Sequence, residues 1–350
     1  MRNERIGGLL SEKGLDALLV SGAANMRYLA GFTGEGYVVF TKRGQYVLTD
    51  SRYTVAAEEE APEFTVIEVH KPYPEELSAL FEDGEKVGFE SEKMLFADFA
   101  GIRDGIPGIT LEPLTGELDV LRRVKEQWEI DRIAKAEEIG DRAFDAVLGF
   151  LKPGLTELQV AAFLEYTMKG FGAEDISFNT IAAAGLNSAK PHAVPGTYRL
   201  QEGDFLTMDY GALYQGYHSD MTRTVVIGKA SAEQKKIYDI VLRAQLAGVE
   251  ALRAGLRGCD VDKISRDIIA EAGYGANFGH GLGHCVGLEI HESPRLSPKD
   301  ETILLPNMVI TVEPGIYIKG FGGVRIEDTL VVKEGGSLNL AHSPKELIEI

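Results

Sequence analysis

DFLTMDYGALYQGYHSDMTRTVVIG, residues 204–228, reads as a β-hairpin that carries acids where its strands should be apolar. A turn at Tyr214–Gln215 places Asp209 opposite Asp220, with Cβ atoms roughly 5 Å apart. Two carboxylates so close repel, and burial makes ionising both costlier still. Either the pair is an exposed one that tolerates its acids, or a cation sits between them.

Two further stretches repeat the pattern. NMVITVEPGIYI (307–318) sets Glu313 among Met, Val, Ile and Tyr. GGVRIEDTLVV (322–332) sets Glu327 two residues from Arg325, so that these two share a strand face while Asp328 points the other way. Burying four carboxylates without cations costs several kcal/mol each, at roughly that order. Two hard divalent ions bridged by carboxylates, with one imidazole, cancel that cost. The imidazole is supplied by GHGLGHCVGLEIHES (279–293), which gathers His280, His284 and His291 among glycines. A helical HExxH zinc site is excluded, because Gly281 stands where the Glu should be and the glycines disfavour a helix. The segment is expected to be an extended or looping strand whose glycines let backbone approach a ligand, one histidine ligating metal and the others facing substrate. Cys285, beside the ligand, is expected to point to the opposite face and pack.

Around these motifs the chain reads as two domains, 1–121 and 122–350. Its 350 residues exceed one ordinary core. The first third alternates a helix near 4–13, strands at 16–20, 37–41, 45–49 and 65–70, and helices at 53–60 and 75–82: a small α/β domain. Charges at helical spacing over 121–140 read as a long solvated helix opening the second domain. There, helices are expected at 125–151, 156–171, 231–254 and 260–273, with Thr156 and Ser231 as caps. Strands at 204–213, 218–227, 308–319 and 323–333 complete an α+β domain with its sheet covered on one side. A formal charge of -18 argues against nucleic acid as a partner. No run suits a membrane helix and nothing resembles a signal peptide. Two cysteines form no disulfide framework, so a cytoplasmic protein is expected.

Taken together, MDYGA (208–212), HSDMTRT (218–224), HGLGHCVGLEIHE (280–292), TVEPGIY (311–317) and VRIEDT (324–329) resemble the metal-dependent Xaa-Pro peptidases of the pita-bread fold, family M24. That family includes prolidase and aminopeptidase P. NMRYLAGFTG (25–34) and LRRVKEQWEIDRI (121–133) extend the resemblance to the short microbial prolidases. It implies a creatinase-like N-terminal domain before a pita-bread catalytic domain, and a homodimer. Asp209 would serve one ion, His284 and Glu313 the other, with Asp220 and Glu327 contacting both. The ions are Mn(II) or Co(II), sometimes Zn(II), and the oxygen-rich donor set suits Mn(II). Two-metal logic has the ions share a water, lower its pKa and deliver hydroxide to the scissile carbonyl. Glu313 would be general base, His192 and His291 would steady the carbonyl or oxyanion, and His280 matches a third active-site histidine unless its ring is satisfied within the loop. Arg325 would orient a ligand carboxylate.

The substrate class implied is small peptides with proline second. A dipeptidase needs a receptor for the free proline carboxylate, and Arg295 is the candidate. Aminopeptidase P, acting on longer chains, is the alternative, and a non-catalytic pita-bread peptide-binding module is the alternative of another class. The filled ligand positions argue against that module. No G-x-S-x-G elbow or phosphate-binding glycine motif is present.

Overall fold

In the computed structural model, which describes residues 2–350, the hairpin of 204–228 turns at Gln215–Gly216, one residue later than expected. Gln215 (φ 47°) and Gly216 (φ 78°) both lie in the left-handed region, as a two-residue type I′ turn requires. Glycine enters that region without a Cβ penalty, which favours this turn over one on Tyr214. Each partner therefore moves by two positions, and Asp209 faces Thr222 rather than Asp220. The two acids are diagonal neighbours lining one cavity, not a facing pair.

The long strands expected from sequence are broken at or beside the acids. At Gly211 a Cβ would lie 1.9 Å from the Ser219 carbonyl oxygen, so the hairpin arms cross closely. There the hairpin divides between two three-stranded sheets. Phe205–Tyr210 and Met221–Val226 pair in one with Ile181–Ala184, while Ala212–Tyr214 and Tyr217–His218 join Asp175–Ile176 in the other. Asp220 precedes Met221–Val226. Likewise 308–319 splits at Glu313–Pro314 into Val309–Val312 and Gly315–Ile318, since Pro314 has no N–H for a ladder. The stretch 323–333 splits at Ile326–Glu327 into Gly322–Arg325 and Asp328–Lys333. Asp220, Glu313 and Glu327 thus stand where the chain leaves one sheet for another, and Asp209 lies two residues before the break at Gly211.

Helices Gln127–Phe150 and Glu157–Gly170 share a core with the sheet containing Phe205–Tyr210. Helices Ala232–Ala251 and Gly258–Glu271 share a core with a five-stranded antiparallel sheet, ordered Glu292–Leu296, Gly283–Cys285, Val309–Val312, Asp328–Lys333 and Gly336–Asn339. Thr156 and Ser231 both close capping boxes, with Gln159 and Gln234. The first of these helices is not solvated all round. It starts at Gln127 and buries Ile130, Ile133, Ala136, Ile139, Ala143 and Val147, a stripe at helical spacing that the charges of 121–140 obscure.

The described residues divide into two compact units, one ending at Arg122 and one starting at Arg123. The first has a six-stranded mixed sheet ordered Thr65–Glu68, Gly44–Thr49, Tyr37–Thr41, Ala17–Val20, Lys86–Glu90 and Thr110–Leu114. Its central strand ALLV is buried throughout. The last two strands escape sequence reading, because Gly88 and Pro113 interrupt their patterns; Thr110–Leu114 is an edge strand, where proline is tolerated. No described helix is long and apolar enough to cross a membrane.

Candidate metal centre

Alternation along the strands decides which side chains reach the site. Leu206, Met208 and Tyr210 pack beneath the first helix pair, so Asp209 faces the other way. Cys285, Ile310, Val312, Val324 and Ile326 pack beneath the second, which turns His284, Glu313, Arg325 and Glu327 away from it. These faces look into one cavity of about 650 Å³. All ten side chains singled out from sequence line it: Asp209, Asp220, His284, Glu313 and Glu327, with His192, His280, His291, Arg295 and Arg325.

At its floor, one donor atom from each of Asp220, His284 and Glu327 lies within 4.8 Å of the others. His284 Nε2 is 3.3 Å from Asp220 Oδ2 and 3.5 Å from Glu313 Oε1. His284 Nδ1 is 3.0 Å from the Cys285 carbonyl oxygen, which can only accept, so Nδ1 carries the proton and Nε2 is left for the carboxylate cluster. Glu327 Oε2 accepts from the Thr222 hydroxyl at 2.6 Å, and Asp209 Oδ2 accepts from Arg325 Nη2 at 2.5 Å. Their other oxygens, Glu327 Oε1 and Asp209 Oδ1, are buried with no hydrogen-bond partner among the described residues. Burial pushes Asp220 well above the usual carboxylate range, with the Asp209 charge adding to it. Burial and the Asp220 charge do the same to Glu327, and burial also raises Glu313. Orphaned buried oxygens, crowded anions and one oriented imidazole are what divalent cations satisfy, so the residues present fit such ions.

Arg325 is wired further. Its Nη1 donates to the Tyr317 hydroxyl at 2.7 Å, and that hydroxyl lies 3.0 Å from His280 Nε2. His280 Nδ1 is 2.8 Å from the Gly281 carbonyl oxygen and must donate to it, so Nε2 accepts from Tyr317. Both nitrogens of His280 are spent inside the protein, and burial together with the Arg325 charge lowers its pKa to about 4. The ring thus lines the cavity while its hydrogen bonds tie it to the Arg325–Tyr317 pair.

On the open side, the His291 ring stands edge-on to His284, centroids 4.4 Å apart. Glu292 holds its loop by accepting from Leu288 N and Glu289 N at 3.1 and 3.3 Å and pairing with buried Lys125 at 2.8 Å. Arg295 is exposed, one residue from the end of strand Glu292–Leu296. His192 is also exposed, on the loop after Ile181–Ala184.

Residues 131–334, which include all ten, match the model of metallopeptidase family M24. The chain belongs to family M24. Residues 2–124 match the creatinase/prolidase N-terminal domain, which precedes the M24 domain here. An Xaa-Pro dipeptidase of Pyrococcus horikoshii is 40% identical over 99% of this chain and 98% of its own. Among solved structures, an Xaa-Pro dipeptidase from Bacillus anthracis is 40% identical with a TM-score of 0.97, covering 100% of this chain and 99% of its own. An X-Pro aminopeptidase from Thermotoga maritima is 38% identical with a TM-score of 0.92, covering 99% of each. The fold is therefore that of the M24 pita-bread enzymes, a metallopeptidase domain behind a creatinase-type domain.

Several residues that shape this M24 site went unread in the sequence. Thr222 and Thr311 stand two positions from Asp220 and Glu313, on the same strand side. Thr222 donates to Glu327, and Thr311 Oγ1 accepts from His284 N at 3.1 Å. A hydroxyl two residues from a buried acid is the signal that could have found them. Tyr317 and Glu137 left no such mark; Glu137, buried on the first helix, accepts from Asp220 N at 2.9 Å. Two glycines of 279–287 have a packing role that the sequence did not show. A Cβ on Gly283 would lie 1.9 Å from the Thr311 carbonyl oxygen and one on Gly281 2.8 Å from that of Leu296, so these two, which also line the cavity, admit neighbouring backbone.

Proposed function

We propose that this chain hydrolyses the Xaa-Pro bond of dipeptides as a two-metal peptidase. The observation carrying this is the single cavity that joins four carboxylates and His284 at its floor to His192, His291 and Arg295 at its mouth. Asp209 would hold one ion, His284 and Glu313 the other, and Asp220 and Glu327 both; Mn(II) suits so oxygen-rich a set. When bound, such ions supply Lewis acidity and lower the pKa of water. Glu313 would take the proton of the attacking water. His291 and His192 donate toward the scissile carbonyl and the oxyanion it becomes. Phe178, Ile181 and Ile290 give the same cavity an apolar wall suited to a proline ring. The Arg295 guanidinium pairs with the free proline carboxylate. A cytoplasmic homodimer belongs to the same proposal.

Likeness to the Thermotoga aminopeptidase supports a second reading, release of the N-terminal residue from longer Xaa-Pro peptides. Hydrolysis of Ala-Pro and Ala-Pro-Ala with Mn(II) separates the two. Arg295→Ala should raise KM for Ala-Pro by roughly 10-fold or more, the order of one charged hydrogen bond, and spare Ala-Pro-Ala. Equal effects on both substrates would favour the aminopeptidase.

A further inference from the structure

The loop of residues 185–196 brings His192 to the cavity, yet beyond the short 3-10 turn Gly185–Ala189 it has no regular element to hold it. Its anchor is a buried acid outside the site. Glu157, the first residue of helix Glu157–Gly170, is 1% exposed. Its carboxylate accepts from Ala184 N at 2.7 Å, from Asn187 Nδ2 at 3.0 and 3.1 Å, and from Gly196 N at 2.9 Å. These donors flank His192 on both sides. The helix N-terminus supplies the remaining favourable field for a negative charge. Backbone bonds reinforce the join: Glu157 N donates to the Tyr198 carbonyl and Leu158 N to that of Gly196, each at 3.1 Å. From the site side, Arg325 Nη1 reaches the Pro191 carbonyl at 3.3 Å, one residue from His192. The loop is thus pinned between a helix end and the arginine that holds Asp209.

We propose that Glu157 is the positioning residue for His192, fixing the loop so that the imidazole meets the scissile carbonyl. This rests on the substrate-side role given to His192 above. Glu157 touches no reacting atom. It acts by geometry, since a carboxylate offers acceptors to all of these donors while an amide turns its own N–H₂ toward one of them.

A double-mutant cycle on the Mn(II)-loaded full chain with Ala-Pro tests this. Glu157→Gln should lower kcat roughly 10- to 100-fold, the scale of a misplaced group, with KM within about two-fold and bound metal unchanged. In a His192→Ala background the same change should cost less than about two-fold. Equal losses in both backgrounds, or a Glu157→Gln enzyme as active as the parent, would overturn the proposal. A His192→Ala enzyme with full activity has a different signature and removes the role of His192 itself. Should Glu157→Gln fail to fold, Asn187→Ala carries the same cycle: it cuts the side-chain links and leaves Glu157 its backbone donors.

Discussion

His284 commits one nitrogen to the Cys285 carbonyl and turns the other into a ring of acids, so it has a single task to lose. His284→Ala or Asp220→Asn should abolish peptidase activity and lower bound metal, with far-UV circular dichroism unchanged. Full turnover by either variant after chelation and reloading would defeat their assignment as ligands. Glu137 gives a second, separate test. Burial raises its pKa to about 8. A carboxyl held above its unfolded value stabilises the fold fully below the unfolded pKa, and that stability is lost as pH rises through the folded one. The chelated protein should therefore lose urea resistance between about pH 4.5 and 8, and Glu137→Gln should lose less. The sequence displays the ligand candidates because acids in β-branched runs stand out against their neighbours. Glu137 falls on the buried stripe of its helix, four residues after Ile133 and seven before Phe144, but the charges of 121–140 obscure that spacing.

The strands impose their own test. A Cβ at Gly283 collides with the Thr311 carbonyl, whereas at Gly279 it meets nothing within 4 Å. Gly283→Ala should force the strand pair apart, at a cost of roughly 1–3 kcal/mol or more, and displace His284. Gly279→Ala should be silent in thermal unfolding and in metal content. Helix ends were readable for a plain chemical reason: Thr156 and Ser231 are each followed three residues on by a glutamine. Strand register was not. It turned on Gln215 adopting a positive φ, which no propensity favours, and that moved Asp209 from Asp220 to Thr222. Pro314 and Gly211 are visible marks of two of the breaks, whereas the one at Ile326 is hidden, since the apolar pattern runs on through it while the hydrogen bonding does not.

At the level of the whole second unit, Asp209 and Asp220 come from one helix-backed sheet and its edge, while His284 and Glu313 come from the other. Ions shared among them would tie the halves together. Mn(II) at 100 times its dissociation constant stabilises by about 2.7 kcal/mol. For a unit of this size that should raise Tm by roughly 5–10 °C over the chelated protein, read by calorimetry. An unchanged Tm would mean that no ion binds the folded unit in preference to the unfolded chain. The two-layer division and its helix pairs were legible in the alternation of long helical and strand patterns. The lining of the cavity was legible only as residue types, since distance along the chain says nothing of convergence.

Cys285 sits one bond down the chain from the central imidazole, yet its sulfur is sealed in the core and its thiol is pushed up to about 12 by burial. Peroxide or a thiol reagent would find no thiolate there, so oxidative stress has no handle on the centre through its nearest sulfur. In the folded protein such a reagent should label only Cys259, which is partly exposed. Appearance of the second label would time the moment the interior opens.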